Sequence, residues 1–312
     1  MENLYLSFRV VAPLILYIAV GALLRKTGIV DRQTLRGVNN IVFYASLPAL
    51  CFQKIAASDL SSMLETPFLL YIALAILLLF ALASIFVPLA CKDDRRRGVL
   101  ILGIFRSNDA IFGLGVAAAL LGDDHLTLMT LAIALTVPLF NVLSVLAMER
   151  YRGGKVNVWQ LLLRVIKNPI VLGCLAGFAA NFTHLQLPDF INTPLSGLSA
   201  LCTPLAFVSL GGTIAFSALR KNALAIGVVN LLRLIIIPIA VIGAFLLLGY
   251  RGEPIVVIMI LFGAPVAIVT YSMAVGVGAD DELAGGMLAV SSLLSIVTMF
   301  LFIFILKQLA LI

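Results

Sequence analysis

Apolar runs, each near the roughly 20 residues a helix needs to cross a bilayer, follow one another along the chain with short polar stretches between them. This pattern predicts ten transmembrane helices, over Leu6–Leu24, Leu35–Ile55, Pro67–Ala90, Val99–Leu121, Leu126–Met148, Leu161–Phe182, Ile191–Leu219, Ala223–Leu248, Pro254–Val277 and Leu283–Leu306. The chain opens Met1-Glu2-Asn3 without a basic segment or a small-residue cleavage site, so the first run reads as a span rather than a removable signal peptide. Composition agrees: 62% of the 312 residues are apolar, 12% are charged and mean hydropathy is +1.16, against the roughly half-apolar balance of a soluble domain. The fold class is all-α integral membrane, with no room for a soluble domain.

A formal net charge of +6 invites a nucleic-acid partner, but the placement of the charges argues for topology instead. Fifteen basic residues crowd alternate connections: Arg25, Lys26, Arg32 and Arg36; Lys92, Arg95, Arg96 and Arg97; Arg150, Arg152, Lys155, Arg164 and Lys167; Arg220 and Lys221. Only four, Arg9, Lys54, Arg251 and Lys307, fall on the opposite side. The positive-inside rule then turns both termini outward across the cell (plasma or inner) membrane. Cys51, Cys91, Cys174 and Cys202 have no CxxC spacing and are read as packing residues.

The chain repeats itself. Pro13 and Pro169, Gly21 and Gly177, and Pro48 and Pro204 are each 156 residues apart, and Asp123-Asp124 precedes Asp280-Asp281 by 157. The repeats occupy residues 1–156 and 157–312. Five spans is an odd number, so the second copy enters the membrane inverted. Inverted repeats supply two nearly equivalent packings, one open to each side, which is the physical basis of alternating access in a transporter.

Two spans are interrupted at corresponding places. In span 4 the run Phe105-Arg106-Ser107-Asn108-Asp109-Ala110-Ile111-Phe112-Gly113-Leu114-Gly115 puts polar groups and glycines about 14 Å past Val99, near the middle of a roughly 30 Å core. Charged or amide side chains at that depth belong against protein or a water-filled cavity. In span 9, Gly263-Ala264-Pro265-Val266-Ala267 is followed by Thr270, Tyr271 and Ser272, and Pro265 removes a helical hydrogen bond. Paired breaks of this kind point to a substrate site.

At these residues the chain resembles the auxin efflux carrier family, within the superfamily that includes the bile-acid sodium symporters. The resemblance covers nearly the whole length and rests on an ordered set: Phe105-Arg106-Ser107-Asn108 with Gly113-Leu114, Val137-Pro138-Leu139 with Asn141-Val142, Lys167-Asn168-Pro169, Pro204-Leu205-Ala206 with Gly211, Ala264-Pro265 through Tyr271, Met273-Ala274, and Asp281-Glu282-Leu283-Ala284. It implies a scaffold of spans 1, 2, 6 and 7, a moving transport domain of spans 3–5 and 8–10 working as an elevator, and crossing of spans 4 and 9 at their breaks. It also implies carboxylate substrates. Gly115 stands where the family usually has proline, and Val269 where some members carry a polar residue, so a span 9 site leans on Thr270, Tyr271 and Ser272.

The substrate-binding candidates are therefore Asn108, Asp109, Gly113, Gly115, Pro265, Thr270, Tyr271 and Ser272, with Asn40 and Tyr44 from span 2. Asn39, Ser46, Thr203 and Ser209 are further scaffold-side polar groups that equally suit helix packing. Arg106, Asp109 and Arg233 are the coupling candidates. Arg106 and Asp109, three apart, either form a local ion pair or meet substrate and a coupling ion. Arg233 is read first as snorkelling to the cytoplasmic surface and second as a substrate contact.

His125 and His184 lack ligand spacing, so neither metal nor cofactor is expected. No HExxH, nucleophile elbow or phosphate loop is present to suggest an enzyme. The reading is a secondary carrier of small organic anions, with proton or sodium as coupling ion, lipid around it and a homodimer through the scaffold. An anion channel or an intramembrane enzyme are the alternatives. Cysteines placed at Glu2 and Ile312 should both react with an impermeant thiol reagent in intact cells; protection of both until lysis would overturn the topology.

Overall fold

A computed structural model describes residues 2–57, 67–121, 127–152, 163, 166–185, 187–213 and 216–312, and helix dominates them. The first half runs α1 (Glu2–Lys26), α2 (Arg32–Ile41), a π turn (Val42–Ser46) leading into α3 (Leu47–Ala56), α4 (Pro67–Ala90), α5 (Asp94–Phe105), a π turn (Asp109–Gly113) leading into α6 (Leu114–Leu121), and α7 (Thr127–Arg150). The second half runs α8 (Pro169–Phe182), α9 (Asp189–Thr213), α10 (Phe216–Lys221), α11 (Ala223–Leu231), a π turn (Leu232–Ile236) leading into α12 (Ile237–Leu247), α13 (Glu253–Gly263), α14 (Ile268–Val277) and α15 (Asp281–Gln308).

Among the described residues, five stretches are long and apolar enough to cross a membrane: Pro67–Ala90, Leu131–Arg150, Asp189–Ser209, Ala223–Leu247 and Asp281–Gln308. Pro169–Phe182, Glu253–Gly263 and Ile268–Val277 are shorter apolar helices. The runs expected at Val99–Leu121 and Pro254–Val277 are each two helices meeting at an interruption. Asp123-Asp124, His125 and most of residues 153–165 lie outside the described residues.

The polar stretches between apolar runs serve as helix caps. Asp31 accepts from the Thr34 N–H at 2.6 Å to start α2, Asp93 from Arg95 at 3.0 Å to start α5, Asn168 from Ile170 at 3.0 Å to start α8, and Asp280 from Leu283 at 2.9 Å to start α15. Each satisfies a backbone donor that the first helical turn leaves free. The Thr34 hydrogen bonds also hold the Asp31 carboxyl below the usual carboxylate range.

Apolar side chains face outward as well as inward. Along α4, Leu70, Leu74, Leu78, Ile85 and Leu89 are exposed while Phe68, Ile72, Ile76, Ala83 and Val87 are buried. Water would penalise the first face, whereas lipid accepts it, so packing between helices cannot depend on hiding apolar surface and must come from close fit. Glycine supplies that fit where α1 meets α9 and α3 meets α8. A Cβ on Gly21 would overlap the Val208 carbonyl, one on Gly211 the Ile18 carbonyl, and one on Gly177 would come within 2.9 Å of the Phe52 carbonyl oxygen. Gly177 lies 156 residues after Gly21 and Val208 lies 156 after Phe52, so the contacts of Gly21 and Gly177 are reciprocal at one offset of 156 residues.

Replacing Gly211 by leucine should force α1 and α9 apart, with an overpacking cost of about 1–3 kcal/mol. Detergent-solubilised Gly211→Leu should melt clearly below wild type. Gly197→Ala, whose added Cβ meets nothing within 4 Å, should melt unchanged.

Candidate functional site

α5 ends because Arg106 is extended (φ −87°, ψ 121°), and α13 ends because Ala264 is extended (φ −65°, ψ 153°) ahead of Pro265. Ala267 (φ −68°, ψ 141°) remains extended until α14 begins. The two short segments pair with each other. Ser107 and Val266 form an isolated antiparallel bridge, the Asn108 N–H donates to the Pro265 carbonyl at 3.0 Å, and the Val266 N–H donates to Ser291 Oγ at 3.1 Å. Asn108 and Pro265, which meet at the crossing, are 157 residues apart, the spacing of the two acidic pairs.

Beside this crossing lies Arg233, carried on a π turn and wholly buried. Its Nε donates to the Ala264 carbonyl at 3.1 Å, its Nη2 to Leu261 at 3.0 Å and its Nη1 to Phe105 at 3.5 Å. These carbonyls belong to the C-terminal ends of α5 and α13, where acceptors lack intrahelical partners and the helix dipole is negative. The expectation that Arg233 snorkels to the surface is thus wrong. Carbonyl acceptors from two broken helices compensate the burial of its guanidinium, and it lines neither of the two cavities described below.

Arg106 is also buried and held by α7: Nη1 donates to the Phe140 carbonyl at 3.1 Å and to Ser144 Oγ at 2.7 Å, and Nη2 to Asn141 Oδ1 at 2.5 Å. Asp109 instead accepts a hydrogen bond from the Thr136 hydroxyl, again from α7. The local Arg106–Asp109 ion pair is not formed. It presumed a continuous helix, and the extended residues between them destroy the three-residue facing relation.

Arg106, Ser107, Asn108 and Asp109 line a cavity of about 50 Å³. A single water needs roughly 10–15 Å³ measured this way, so the space suits a group the size of a carboxylate. On these residues Asn108 Nδ2, Ser107 Oγ and Arg106 Nε are buried without hydrogen-bond partners. From the second break Ala267, Ile268 and Val269 line the cavity rather than the polar trio after them, and α3 contributes Cys51 and Lys54. Thr270, Tyr271 and Ser272 are buried in α14; the Thr270 hydroxyl is unpartnered, while Ser272 donates to Asn39 Oδ1 at 3.0 Å and accepts Asn39 Nδ2 on its carbonyl at 3.3 Å. Gly113 closes the π turn, with Met129 and Ile260 within 2.9 Å of where a Cβ would stand, and Gly115 lies in α6.

A second cavity, of about 510 Å³, lies away from both breaks and includes Tyr44, Glu149, Arg152, Lys167, Asn168 and Gly276 in its wall. Arg152 pairs with Glu149 at 3.0 Å. Tyr44 is 58% exposed and Asn40 is exposed, so neither joins the crossover group. Sequence reasoning missed Thr136 and Ser144, which with Asn141 form the polar face of α7; their spacing of 5 and 3 residues was the available signal. Among the described residues, three π turns occur, and they carry Tyr44, Asp109 with Gly113, and Arg233.

The family described as "Membrane transport protein" matches residues 6–303. A Methanothermobacter thermautotrophicus protein named "Uncharacterized transporter" is 24% identical over 300 residues, 94% of this chain and 96% of its own. A Methanocaldococcus jannaschii protein also named an uncharacterized transporter is 24% identical over 277 residues, 84% and 86% of the two chains. A Rhizobium meliloti protein named "Putative malonate transporter" is 23% identical over 273 residues, 84% and 83% of the two chains.

Arg233→Met keeps an unbranched apolar stem but removes every donor, leaving carbonyls whose burial without a partner costs about 1–3 kcal/mol each. The variant should melt well below wild type, with Arg233→Lys between them. Equal melting of Arg233→Met and wild type would show that these carbonyls do not need the guanidinium.

Proposed function

The chain belongs to the membrane transport protein family, that of the auxin efflux carriers, and from that premise we propose that it is a secondary active carrier of small organic anions that binds them where α5 and α13 break. The observation that carries the reading is the group of unpartnered buried polar atoms, Asn108 Nδ2, Ser107 Oγ and Arg106 Nε, on residues that line a small cavity at the crossing. Two guanidinium groups, Arg106 and Arg233, stand at this crossing against one carboxylate, Asp109. An anion balances the excess, and in a poorly solvated site that balance weighs more than it would in water. A relative bearing a malonate transporter's name is consistent with a small dicarboxylate as substrate.

The proposed architecture is ten spans in two inverted repeats, with a scaffold of spans 1, 2, 6 and 7 and a moving unit of the rest. It draws support from the reciprocal Gly21–Val208 and Gly177–Phe52 contacts and from the meeting of Asn108 with Pro265. The wall of the larger cavity comes from both groups, Tyr44 and Lys167 from the scaffold and Arg152 and Gly276 from the moving unit. It opens among the basic connections, where positive charge concentrates anions near an entrance. We assign this side to the cytoplasm and both termini to the outside.

Vesicles reconstituted with the protein should take up malonate or a related mono- or dicarboxylate saturably and with counterflow. Asn108→Ala should weaken that uptake by about tenfold, roughly 1.4 kcal/mol of binding, at unchanged melting temperature. Absence of saturable carboxylate flux across a mono- and dicarboxylate panel would sink the proposal. For coupling, Asp109→Asn should lose the response to a pH gradient while keeping the response to membrane potential, which is worth about 2.3 kcal/mol per charge per 100 mV. A variant that follows the pH gradient as wild type does would remove Asp109 from that role.

A further inference from the structure

α3 and α8 cross with their backbones in contact. A Cβ on Gly173 would overlap the Pro48 carbonyl, and one on Gly177 would press on that of Phe52. Cys51 lies between Pro48 and Phe52, and Cys174 between Gly173 and Gly177, so both thiols are enclosed in the same crossing. Both are free and buried. Helices that touch through backbone atoms lie closer than the usual axial separation of about 8–10 Å, which brings facing Cα atoms toward the roughly 4.4–6.8 Å that a disulfide spans.

One side chain binds both sulfurs. The Asn141 amide nitrogen donates to Cys51 Sγ at 3.0 Å and to Cys174 Sγ at 3.4 Å, so both sulfurs stand against one nitrogen. The Asn141 carbonyl oxygen meanwhile accepts from Arg106 Nη2. A chain of contacts thus runs from two thiols on α3 and α8, through α7, to the guanidinium beside Asn108. Cys51 also lines the crossover cavity, which gives a small polar molecule a place next to its sulfur.

We propose that Cys51 and Cys174 form a reversible redox pair, a modification site at which a peroxide closes a disulfide that resets the Asn141–Arg106 contact. One sulfur attacks a peroxide oxygen; the O–O bond breaks, a sulfenic acid forms, and the departing hydroxide takes the thiol proton as water. The second sulfur then attacks the sulfenic sulfur, the S–S bond forms, and its proton leaves with the displaced hydroxide as a second water. Two thiols lose two electrons and the peroxide gains them. The disulfide sulfurs are drawn together and offer Asn141 poorer acceptors than the thiols did, so its amide turns and Arg106 loses a fixed partner. The bond chemistry rests on helix packing alone; its effect on flux rests on the crossover being the transport site.

The full-length protein in detergent is treated with hydrogen peroxide, its remaining thiols are trapped with a maleimide, and its peptides are sequenced by mass spectrometry. The expected result is a reductant-sensitive link between Cys51 and Cys174, formed equally in Cys202→Ser and absent from Cys51→Ser and Cys174→Ser. Two free thiols after a peroxide dose that oxidises the unfolded chain, or linkage to Cys202 instead, would overturn the pair. In vesicles, peroxide should change carboxylate uptake by several-fold, dithiothreitol should restore it, and Cys174→Ala should not respond. A link that forms and breaks with no change in flux would overturn the control of Arg106 while leaving the transport reading intact.

Discussion

Backbone N–H and C=O groups in the core of a bilayer have no water to turn to, and each one left alone costs several kcal/mol. A helix that breaks at mid-depth therefore needs another structure to complete it. Here the two interruptions complete each other: the bridge from Ser107 to Val266 and the bond from Asn108 to Pro265 use backbone groups that neither α5 nor α13 can satisfy. Ser291 takes the Val266 N–H, and Arg233 collects the carbonyls of Phe105, Leu261 and Ala264. The crossing depends on all of these at once, because removing one partner exposes the deficit of the others.

The same arithmetic sets the electrostatics. Arg233 is committed to main-chain oxygens and Arg106 largely to α7, so their charges stay at the crossing while their donors are mostly occupied. What remains free is a small number of buried polar atoms on residues that line a small cavity, and the proposed anion site rests on them. Asn141 links this arrangement to α3 and α8 through the sulfurs of Cys51 and Cys174. The tight packing of α3 on α8 and the placement of Arg106 are in that sense one structure.

Lipid exposure explains why the α1–α9 and α3–α8 contacts lean on glycine. With exposed leucines along α4 and α9 already at ease outside the protein, helix association has to come from van der Waals contact and hydrogen bonds. Gly21, Gly173, Gly177 and Gly211 let backbones touch, and residues such as Asn39 with Ser272 or Ser209 with Leu35 add polar ties between α2, α14 and α9.

The sequence by itself determined the all-helical class, the membrane setting, the family and the position of both breaks, because each is local: apolar run length, helix-breaking residues and a motif order survive without knowledge of any partner. It also located Asn108, Asp109 and Pro265, since polar atoms at mid-span are legible from depth alone. The fate of each charge was decided only by tertiary structure. Arg233 looked able to reach the surface and is buried among carbonyls; Arg106 and Asp109 looked like neighbours on one helix face and face separate partners on α7. Ser272 looked like a ligand and is bound to Asn39 of α2, 233 residues away. Cys51 and Cys174, 123 positions apart in the chain, share one amide. Those pairings cross helices, and spacing along one chain holds no record of which helix will stand opposite another.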